Sequence, residues 1–360
     1  MMDKHPALIV RTREPLNGGP PPARMGESFI TPTELFFVRN HGDIPEIDPA
    51  SYRLRVGGLV GAPLILSLDE LRARFRAVTV TATIQCAGNR RSELMAIESI
   101  SGEVPWGLEA VSTATWHGVR LQDVLAAAGP LDGARHVAFT GLDAVTRLGR
   151  TFGFGGSIPL DKALGPEVLL AFEMNGAPLP PIHGAPLRAV VPGYIGARSV
   201  KWLGEISVQA EPSDNYFQAQ AYKRFPPDVR AETVDWSQGE MLGEIELTAA
   251  ICAPEDGARL PAGETLVRGF ALAGAGAALV RVELSCDSGA TWVEAELLGA
   301  AEPWAWRLWR ARLVVPPGET ELVVRAWDTS GRAQPCELGE VWNFKGYMNN
   351  AWHRVRVTGV

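Results

Sequence analysis

The residue pattern of this chain changes near position 236, and the change restricts the folds that the chain can adopt. Upstream, short apolar stretches alternate with helix signals, whereas downstream the apolar stretches are typical of strands. The downstream stretches that we predict as strands include 244–247, 279–285 and 321–327. Turn sequences such as those at 287–289 and 330–331 separate them, and short strands between turns are typical of a β-sandwich. The sequence therefore predicts two domains of different class.

The part of the chain before residue 236 combines strands with short helices. Residues 67–72 have the Ser and Glu spacing of a helix N-terminus, and residues 120–129 form a helix pattern that ends at a Gly. Frequent Gly and Pro residues favour an irregular mixed α/β domain over a doubly wound sheet, so the whole chain is predicted to be α+β. We predict an extended or frayed N-terminal arm at 1–28, the mixed α/β domain at 29–235 and the β-sandwich at 236–360.

Composition excludes several classes of function. The net charge of −7 and the pI near 5.5 argue against a nucleic-acid-binding protein. No apolar run reaches the roughly 18 residues that a membrane-spanning helix needs. The N-terminus has neither the apolar core of a secretory signal nor a twin-arginine pair, so we predict a cytoplasmic protein. A signal that had already been removed would leave a periplasmic location open.

Cys86 ends an alternating run at 78–86 and precedes a turn that carries Arg90 and Arg91. The period of two places its side chain on the apolar face of a strand, together with Ile84. The two cations would favour the thiolate, which is a ligand for a soft metal or a nucleophile. A buried free cysteine is the alternative. The other cysteines have no zinc or disulfide spacing and are interpreted as small core residues: Cys252, Cys286 and Cys336.

Several segments match, in order, the motifs of one enzyme family. They lie at 37–41 (FVRNH), 83–91 (TIQCAGNRR), 112–116 (STATW), 171–180 (AFEMNGAPLP), 183–188 (HGAPLR), 191–203 (VPGYIGARSVKWL) and 342–346 (WNFKG). The chain resembles the sulfite oxidase family, which includes the molybdenum domain of assimilatory nitrate reductases. Nearly the whole chain, from about residue 30 to its end, takes part in the resemblance.

The resemblance implies a molybdopterin-binding domain of the sulfite oxidase fold, followed by an immunoglobulin-like dimerisation domain and hence a homodimer. It implies a molybdenum–molybdopterin cofactor (Moco) whose metal takes Cys86 as its protein ligand. Cations and backbone N–H groups suit the terminal phosphate of this cofactor, and a carboxylate can accept from the pterin N–H groups. The positions that match cofactor-contacting residues of the family are Phe37, Val38, Arg39, Asn40, His41, Asp143, His183, Arg188, Ser199, Val200 and Lys201. Taken singly, each cation could instead be an ordinary solvated side chain.

The resemblance also implies a pocket for a small oxyanion beside the metal. Its predicted catalytic residues are Arg39, Arg91, Trp106, Tyr222 and Lys345. Guanidinium groups donate paired hydrogen bonds to oxyanions, and a tyrosine adds a neutral donor and a proton path. Lys345 stands where vertebrate-type sulfite oxidases have a third arginine. A cation there together with Tyr222 favours sulfite over nitrate as the substrate.

These residues predict the oxidation of sulfite to sulfate. The sequence has no room for a haem domain before residue 29 and no C-x-x-C-H motif, so we predict that the chain carries no haem. Electrons would then pass to an external acceptor such as a cytochrome c. The alternatives are a nitrate or sulfoxide reductase that uses the same molybdenum site and, more remotely, a non-catalytic pterin-binding or adhesion module.

Overall fold

The computed structural model of the protein describes residues 4–274 and 276–360, and strands dominate it. The strands before residue 215 are β1 (Ile9–Arg13), β2 (Leu16–Gly19), β3 (Leu54–Gly58), β4 (Leu64–Leu66), β5 (Ala77–Gln85), β6 (Val111–Arg120), β7 (His136–Gly141), β8 (Val145–Arg147), β9 (Arg150–Phe152), β10 (Gly155–Pro159), β11 (Leu169–Met174), β12 (Ala177–Pro178), β13 (Arg188–Val190) and β14 (Leu203–Gln209). The α-helices of this part are α1 (Pro22–Met25), α2 (Leu68–Arg74), α3 (Arg91–Met95), α4 (Leu121–Ala128) and α5 (Leu160–Ala163).

Two five-stranded sheets form the first domain. One has the order β10-β7-β14-β3-β4, in which β14 and β3 are parallel. The other has the order β12-β11-β6-β5, and β13 pairs with β11. A buried core that includes Leu54, Leu125, Val137, Leu170 and Ile206 joins the two sheets with α4. Short 3₁₀ helices at Pro181–His183 and Gly196–Arg198 and a π-helix at Phe217–Ala221 complete this part.

The remaining elements form a two-layer β-sandwich. They are β15 (Lys223–Arg224), β16 (Glu240–Met241), β17 (Thr248–Ala253), β18 (Ala258–Leu260), β19 (Gly263–Leu272), β20 (Leu279–Ser285), β21 (Val293–Glu294), β22 (Glu296–Leu297), β23 (Arg307–Val315), β24 (Gly318–Asp328), α6 (Leu338–Val341) and β25 (His353–Gly359), of which β15 and β16 pair outside the sandwich. Its sheets have the orders β17-β19-β23-β22 and β18-β25-β24-β20-β21. Along β23, buried Ala311, Leu313 and Val315 alternate with exposed residues, as one-sided burial of a strand requires. The predicted α+β fold class is confirmed.

Local predictions had mixed outcomes. Helix α2 begins at the predicted Ser67 capping box, and α4 ends at Gly129 with a φ of 66°. The strands predicted at 279–285 and 321–327 are confirmed as β20 and part of β24. The strand predicted at 244–247 was wrong, because this segment binds the first domain instead. Its Ile245 N–H donates to the carbonyl of Gly193 at 3.0 Å, and the sandwich strand begins only at Thr248.

The N-terminal segment is folded where the structure describes it. Strands β1 and β2 form a hairpin, and the N–H groups of Gly18 and Val38 donate to each other's carbonyls at 3.1 and 2.7 Å. Met25 of α1 is buried in an apolar cluster that also contains Phe270 of the sandwich. The prediction of a frayed terminus was therefore wrong from residue 4 onward, because tertiary contacts order a segment whose composition suggested none. The domain boundaries at 28/29 and 235/236 stay predictions.

None of the helices in the described residues has the length and apolar character to cross a membrane.

Candidate active site

Cys86 lies directly after β5, where the chain leaves the sheet. Its side chain is 6% exposed and belongs to an apolar cluster with Ile84 and Trp106, as the strand period predicted. The backbone N–H of Gly88 donates to its Sγ at 3.4 Å. The strand thus holds the thiol in place, and the turn after it supplies a polar contact.

The two arginines after Cys86 are already paired with carboxylates. Arg90 donates to Glu93 through two bonds of 2.7 Å and to the carbonyl of Ala351 at 2.8 Å. Arg91 Nη2 lies 3.6 Å from Glu103 Oε2. Each of the two arginines is therefore engaged in an ion pair within the protein.

A cavity that is open to solvent lies beside Cys86. All eleven predicted cofactor-contacting residues line it: Phe37, Val38, Arg39, Asn40, His41, Asp143, His183, Arg188, Ser199, Val200 and Lys201. Cys86 and Tyr222 line it as well, whereas Arg91, Trp106 and Lys345 are not among its lining residues. The structure therefore brings together side chains that lie far apart in the sequence.

A hydrogen-bond chain joins three of the predicted residues on one wall of the cavity. Arg39 Nη2 donates to His41 Nδ1 at 3.2 Å, and His41 Nε2 lies 2.9 Å from the Tyr222 hydroxyl. Burial and the nearby Arg39 hold the pKa of His41 well below its usual value, so the ring is neutral. Since the guanidinium can only donate, the ring proton is on Nε2 and points to the Tyr222 oxygen. The phenolic proton of Tyr222 is then free to donate elsewhere.

The cations of this cavity bind backbone carbonyls and amides rather than carboxylates. Arg188 donates to the carbonyls of His183 and Ser199 at 2.9 and 3.0 Å, and Lys201 donates to Asn40 Oδ1. Burial lowers the pKa of Arg188 to about 9 and holds that of Lys201 well below its usual value. Buried positive charges without a counter-ion are costly, so the cavity favours an anionic ligand.

The remaining lining residues provide acceptors and apolar walls. Asp143 Oδ1 accepts from the N–H of Phe154 at 2.9 Å, and burial raises the pKa of this carboxyl. The Ser199 hydroxyl accepts from the N–H of Val191 at 3.0 Å, so its oxygen already has a hydrogen-bond partner within the protein. The rings of Phe36 and Phe37 stack with their centroids 5.5 Å apart. This side of the cavity can contact a flat ring system and accept from its N–H groups.

A second cluster lies behind Tyr222 and contains the other predicted cations. The Tyr222 ring stacks on that of Tyr347 with centroids 5.3 Å apart, and the Arg91 guanidinium lies 4.9 Å from the Tyr347 centroid. Arg91 Nε donates to the carbonyl of Lys345 at 3.0 Å, and Lys345 Nζ is paired with Glu103. We call Arg91, Glu103, Tyr222, Lys345 and Tyr347 the oxyanion end.

The oxyanion end depends on a segment that follows the sandwich strands β17–β24. The N–H of Met348 donates to the carbonyl of Ala87 at 2.7 Å, and Asn349 Nδ2 donates to that of Arg90 at 3.0 Å. Residues 343–351 therefore clamp the turn that follows Cys86. A β-carbon on Gly346 would lie 2.6 Å from Arg91 Cγ, so only glycine allows this close approach.

The donor set fits the predicted cofactor. In the part of the chain that the structure describes, no three His, Cys, Asp or Glu side chains are grouped to hold a metal ion. A metal at Cys86 therefore needs further ligands from a cofactor, and the two sulfurs of molybdopterin would suit a soft site. The indole N–H of Trp106, in the same apolar cluster as Cys86, is buried and has no hydrogen-bond partner among the described residues.

Sequence reasoning missed several residues that support the site. Asn17 of β2 accepts from Arg39 at 3.3 Å and from the N–H of Asn40 at 2.8 Å. Lys4 Nζ lies 3.1 Å from His183 Nε2, and burial lowers the pKa of this lysine to about 7. Glu103 and Tyr347 were missed as well. No local pattern marks these residues, because each reaches the site through a contact far along the chain.

Comparison with known proteins agrees with this geometry. A family model described as "Oxidoreductase molybdopterin binding domain" matches residues 41–217, and one described as "Mo-co oxidoreductase dimerisation domain" matches residues 240–359. The mitochondrial sulfite oxidase of Rattus norvegicus is 46% identical over 98% of this chain and 66% of that protein. The sulfite oxidase of Arabidopsis thaliana is 39% identical over 98% of this chain and 94% of that protein.

A solved structure is also similar. The structure titled "Crystal Structure of the Sulfane Dehydrogenase SoxCD from Paracoccus pantotrophus" matches with a TM-score of 0.80 and 26% identity, over 99% of this chain and 86% of that one. Fold and site thus define an oxidoreductase domain for molybdopterin joined to a dimerisation domain. The chain belongs to the sulfite oxidase family. It spans about two thirds (66%) of the length of the rat relative.

Proposed function

We propose that this protein is a sulfite-oxidising enzyme that converts sulfite to sulfate and passes the electrons to an external acceptor. The observation that carries the proposal is the position of Cys86. Its thiol lies at a cavity whose cations, partly or fully buried, form no ion pair among the described residues, and Tyr222 lines the same cavity. The names of the relatives support sulfite as the substrate.

One group of residues would bind the cofactor, and another group would bind the substrate. Arg39, Arg188 and Lys201 would bind the anionic part of the cofactor, and Cys86 would bind its metal. When bound, the molybdenum cofactor supplies oxygen transfer and the storage of two electrons. The protein contributes fixed charges and hydrogen-bond donors that are already oriented before the substrate arrives.

Tyr222 and the other residues of the oxyanion end would bind and orient the substrate. With His41 donating to its oxygen, Tyr222 directs its own proton toward an oxyanion in the cavity. Arg39 lines the same cavity, and Arg91 contributes positive charge from behind Tyr347. We propose that these groups orient sulfite and offset its negative charge, while Trp106 packs in the apolar cluster that contains Cys86.

Several finer points belong to the same proposal. We propose that the chain carries no haem, that its acceptor is a separate protein such as a cytochrome c, and that two copies associate through the second domain, whose family model is described as a dimerisation domain. The predicted cytoplasmic location stays part of this proposal, as do the site roles given above.

The test is sulfite-dependent reduction of ferricyanide, with the molybdenum content determined on the same samples. We expect turnover to rise in proportion to molybdenum across preparations of different metal content. A protein that is fully loaded with molybdenum and inert toward sulfite would contradict the proposal. Reduction of nitrate or of a sulfoxide by that protein, with a reduced dye as electron donor, would favour the alternative activities.

A further inference from the structure

A carboxylate lies among the cations of the oxyanion end. Glu103 pairs with Lys345 through Oε1, and its Oε2 lies 3.6 Å from Arg91 Nη2. The side chains of Glu103, Lys345 and Arg91 are only 14%, 19% and 3% exposed. The three groups are therefore mostly removed from water, and solvent screens their charges less than on an open surface.

This carboxylate changes the charge that an incoming oxyanion meets. Arg91 and Lys345 bring two positive charges, and Glu103 brings one negative charge between them. Arg39, which contacts Tyr222 through His41, has no ion pair among the described residues. The site thus has three cations, but one of them is neutralised before any substrate binds.

We propose that Glu103 sets the charge of the oxyanion end, and that it weakens the binding of doubly charged oxyanions more than that of singly charged ones. The assignment of this end to an oxyanion rests on the function proposed above. In this proposal, Glu103 has no contact with the reacting atoms. It determines specificity through Lys345 and Arg91.

The benefit for the enzyme is the release of product. Sulfate carries two negative charges at neutral pH, and a site with three uncompensated cations would hold it tightly. A fixed carboxylate raises the free energy of the bound dianion by more than that of a monoanion, because the Coulomb energy scales with the charge of the ligand. Product release limits the rate of many enzymes, so this arrangement favours turnover.

The proposal predicts a specific ratio between two probe anions. If Glu103→Gln tightens the binding of sulfate by about tenfold, the binding of nitrate should tighten by only about threefold, because half the charge gives half the change in free energy. Glutamine keeps the length of the side chain and a hydrogen-bond acceptor for Lys345. A change in anion affinity would therefore report the charge rather than the shape.

The experiment uses calorimetric titration of the cofactor-loaded protein with sulfate and with nitrate at one fixed ionic strength. The matched control is Glu167→Gln, because Glu167 and Lys162 form a pair of similar burial that lies away from the cavity lining. We expect the control to bind both anions like the wild type. Equal affinities in wild type and Glu103→Gln, or equal factors for the two anions, would overturn the proposal.

Two further variants keep the test decisive if Glu103→Gln alone is poorly folded. Lys345→Met removes one positive charge and leaves the carboxylate of Glu103 paired with Arg91 alone, so it should weaken sulfate binding more than nitrate binding. The double variant Glu103→Gln/Lys345→Met restores the charge balance and should return sulfate affinity close to that of the wild type. A double variant as weak as Lys345→Met would overturn the proposal. These titrations need no turnover, so a protein inert toward sulfite would remove the proposed function and leave the result for Glu103 standing.

Discussion

Two groups of cations near Cys86 differ in their charge balance. On the cofactor side of the cavity, Arg188 is buried, Arg39 and Lys201 are partly buried, and none of the three forms an ion pair among the described residues. At the oxyanion end, Arg91 and Lys345 share the carboxylate of Glu103. A cation without a carboxylate partner favours tight binding of an anion. A cation that is paired with a carboxylate binds an anion less tightly, so the anion can be released. In the function that we propose, the placement of a single carboxylate separates a permanent ligand from a transient one.

The two ends also differ in their origin along the chain. Residues between 37 and 201, supported by the N-terminal hairpin, form most of the cofactor side. The oxyanion end additionally needs Lys345 and Tyr347, which follow the sandwich strand β24. Substitutions in the C-terminal segment should therefore weaken substrate binding more than cofactor binding.

Cys86→Ser should have the largest effect, because it removes the thiolate on which the metal assignment depends. Loss of a group that only supports a metal ligand typically costs about 10–100-fold, and the loss of the ligand itself should exceed this. We expect sulfite-dependent turnover to fall by more than about a hundredfold. Cys252→Ser is the control, because Cys252 is buried in a different cluster. Full turnover of a molybdenum-loaded Cys86→Ser protein would refute the assignment of the metal ligand.

His353, two residues after the segment 343–351, should make the folded state less stable in acid. This residue is largely buried, its Nδ1 accepts from the N–H of Ile251 at 3.1 Å, and its Nε2 lies 3.9 Å from Glu93 Oε1. Burial and the adjacent Arg90 lower its pKa to about 4. Between pH 6.5 and 4 the unfolded chain binds a proton that the folded chain does not. The folded state therefore loses up to about 3 kcal/mol as the pH falls through this window.

His353→Asn tests this prediction, because asparagine keeps an acceptor for Ile251 but does not titrate. We expect the unfolding free energy of the wild type to fall by up to about 3 kcal/mol more than that of the variant between pH 7 and pH 4. The measurement is chemical denaturation at a series of pH values. Carboxylates that titrate in both proteins cancel in the difference. Parallel pH profiles would show that His353 does not contribute.

Arg188→Gln should weaken the binding of the cofactor rather than the binding of the substrate. The variant removes a buried charge that has no carboxylate partner, so the affinity for an anionic cofactor should fall by about 10–100-fold. We expect a lower cofactor content after purification and an almost unchanged KM for sulfite in the loaded fraction. The control is Arg120→Gln, because Arg120 is hydrogen-bonded to the carbonyl of Pro166 near the surface. A normal cofactor content with a raised KM would reverse the assignment of the two ends.

Tyr222→Phe should have the smallest effect of the four. It removes the hydroxyl that accepts from His41 but keeps the ring that stacks on Tyr347. We expect kcat/KM for sulfite to fall by about tenfold with the molybdenum content unchanged, since the loss of one positioned donor typically costs at least this much. Tyr216→Phe, at the other end of the π-helix Phe217–Ala221, should behave like the wild type. An unchanged kcat/KM in Tyr222→Phe would remove the hydroxyl from the reaction.

The sequence predicted those features that depend on local pattern or on ordered motifs. The alternation at 78–86 placed Cys86 on the correct face. The family resemblance supplied every predicted cofactor-contacting residue, and all of them line one cavity. Contacts between distant segments were not predictable in this way. Glu103 meets Lys345 across 242 positions, and no periodicity marks such a pair. The Gly- and Pro-rich N-terminal hairpin was missed for the same reason, because its order comes from bonds to Val38.

The clamp formed by residues 343–351 has a consequence for the order of events during synthesis. Asn349 follows Arg90, whose carbonyl it binds, by 259 positions. During translation, the turn after Cys86 therefore acquires its final contacts only after residue 349 has been synthesised. We expect cofactor insertion to follow the synthesis of this segment. A premature stop codon within the sandwich would then yield a protein that has every predicted cofactor-contacting residue but no finished active site.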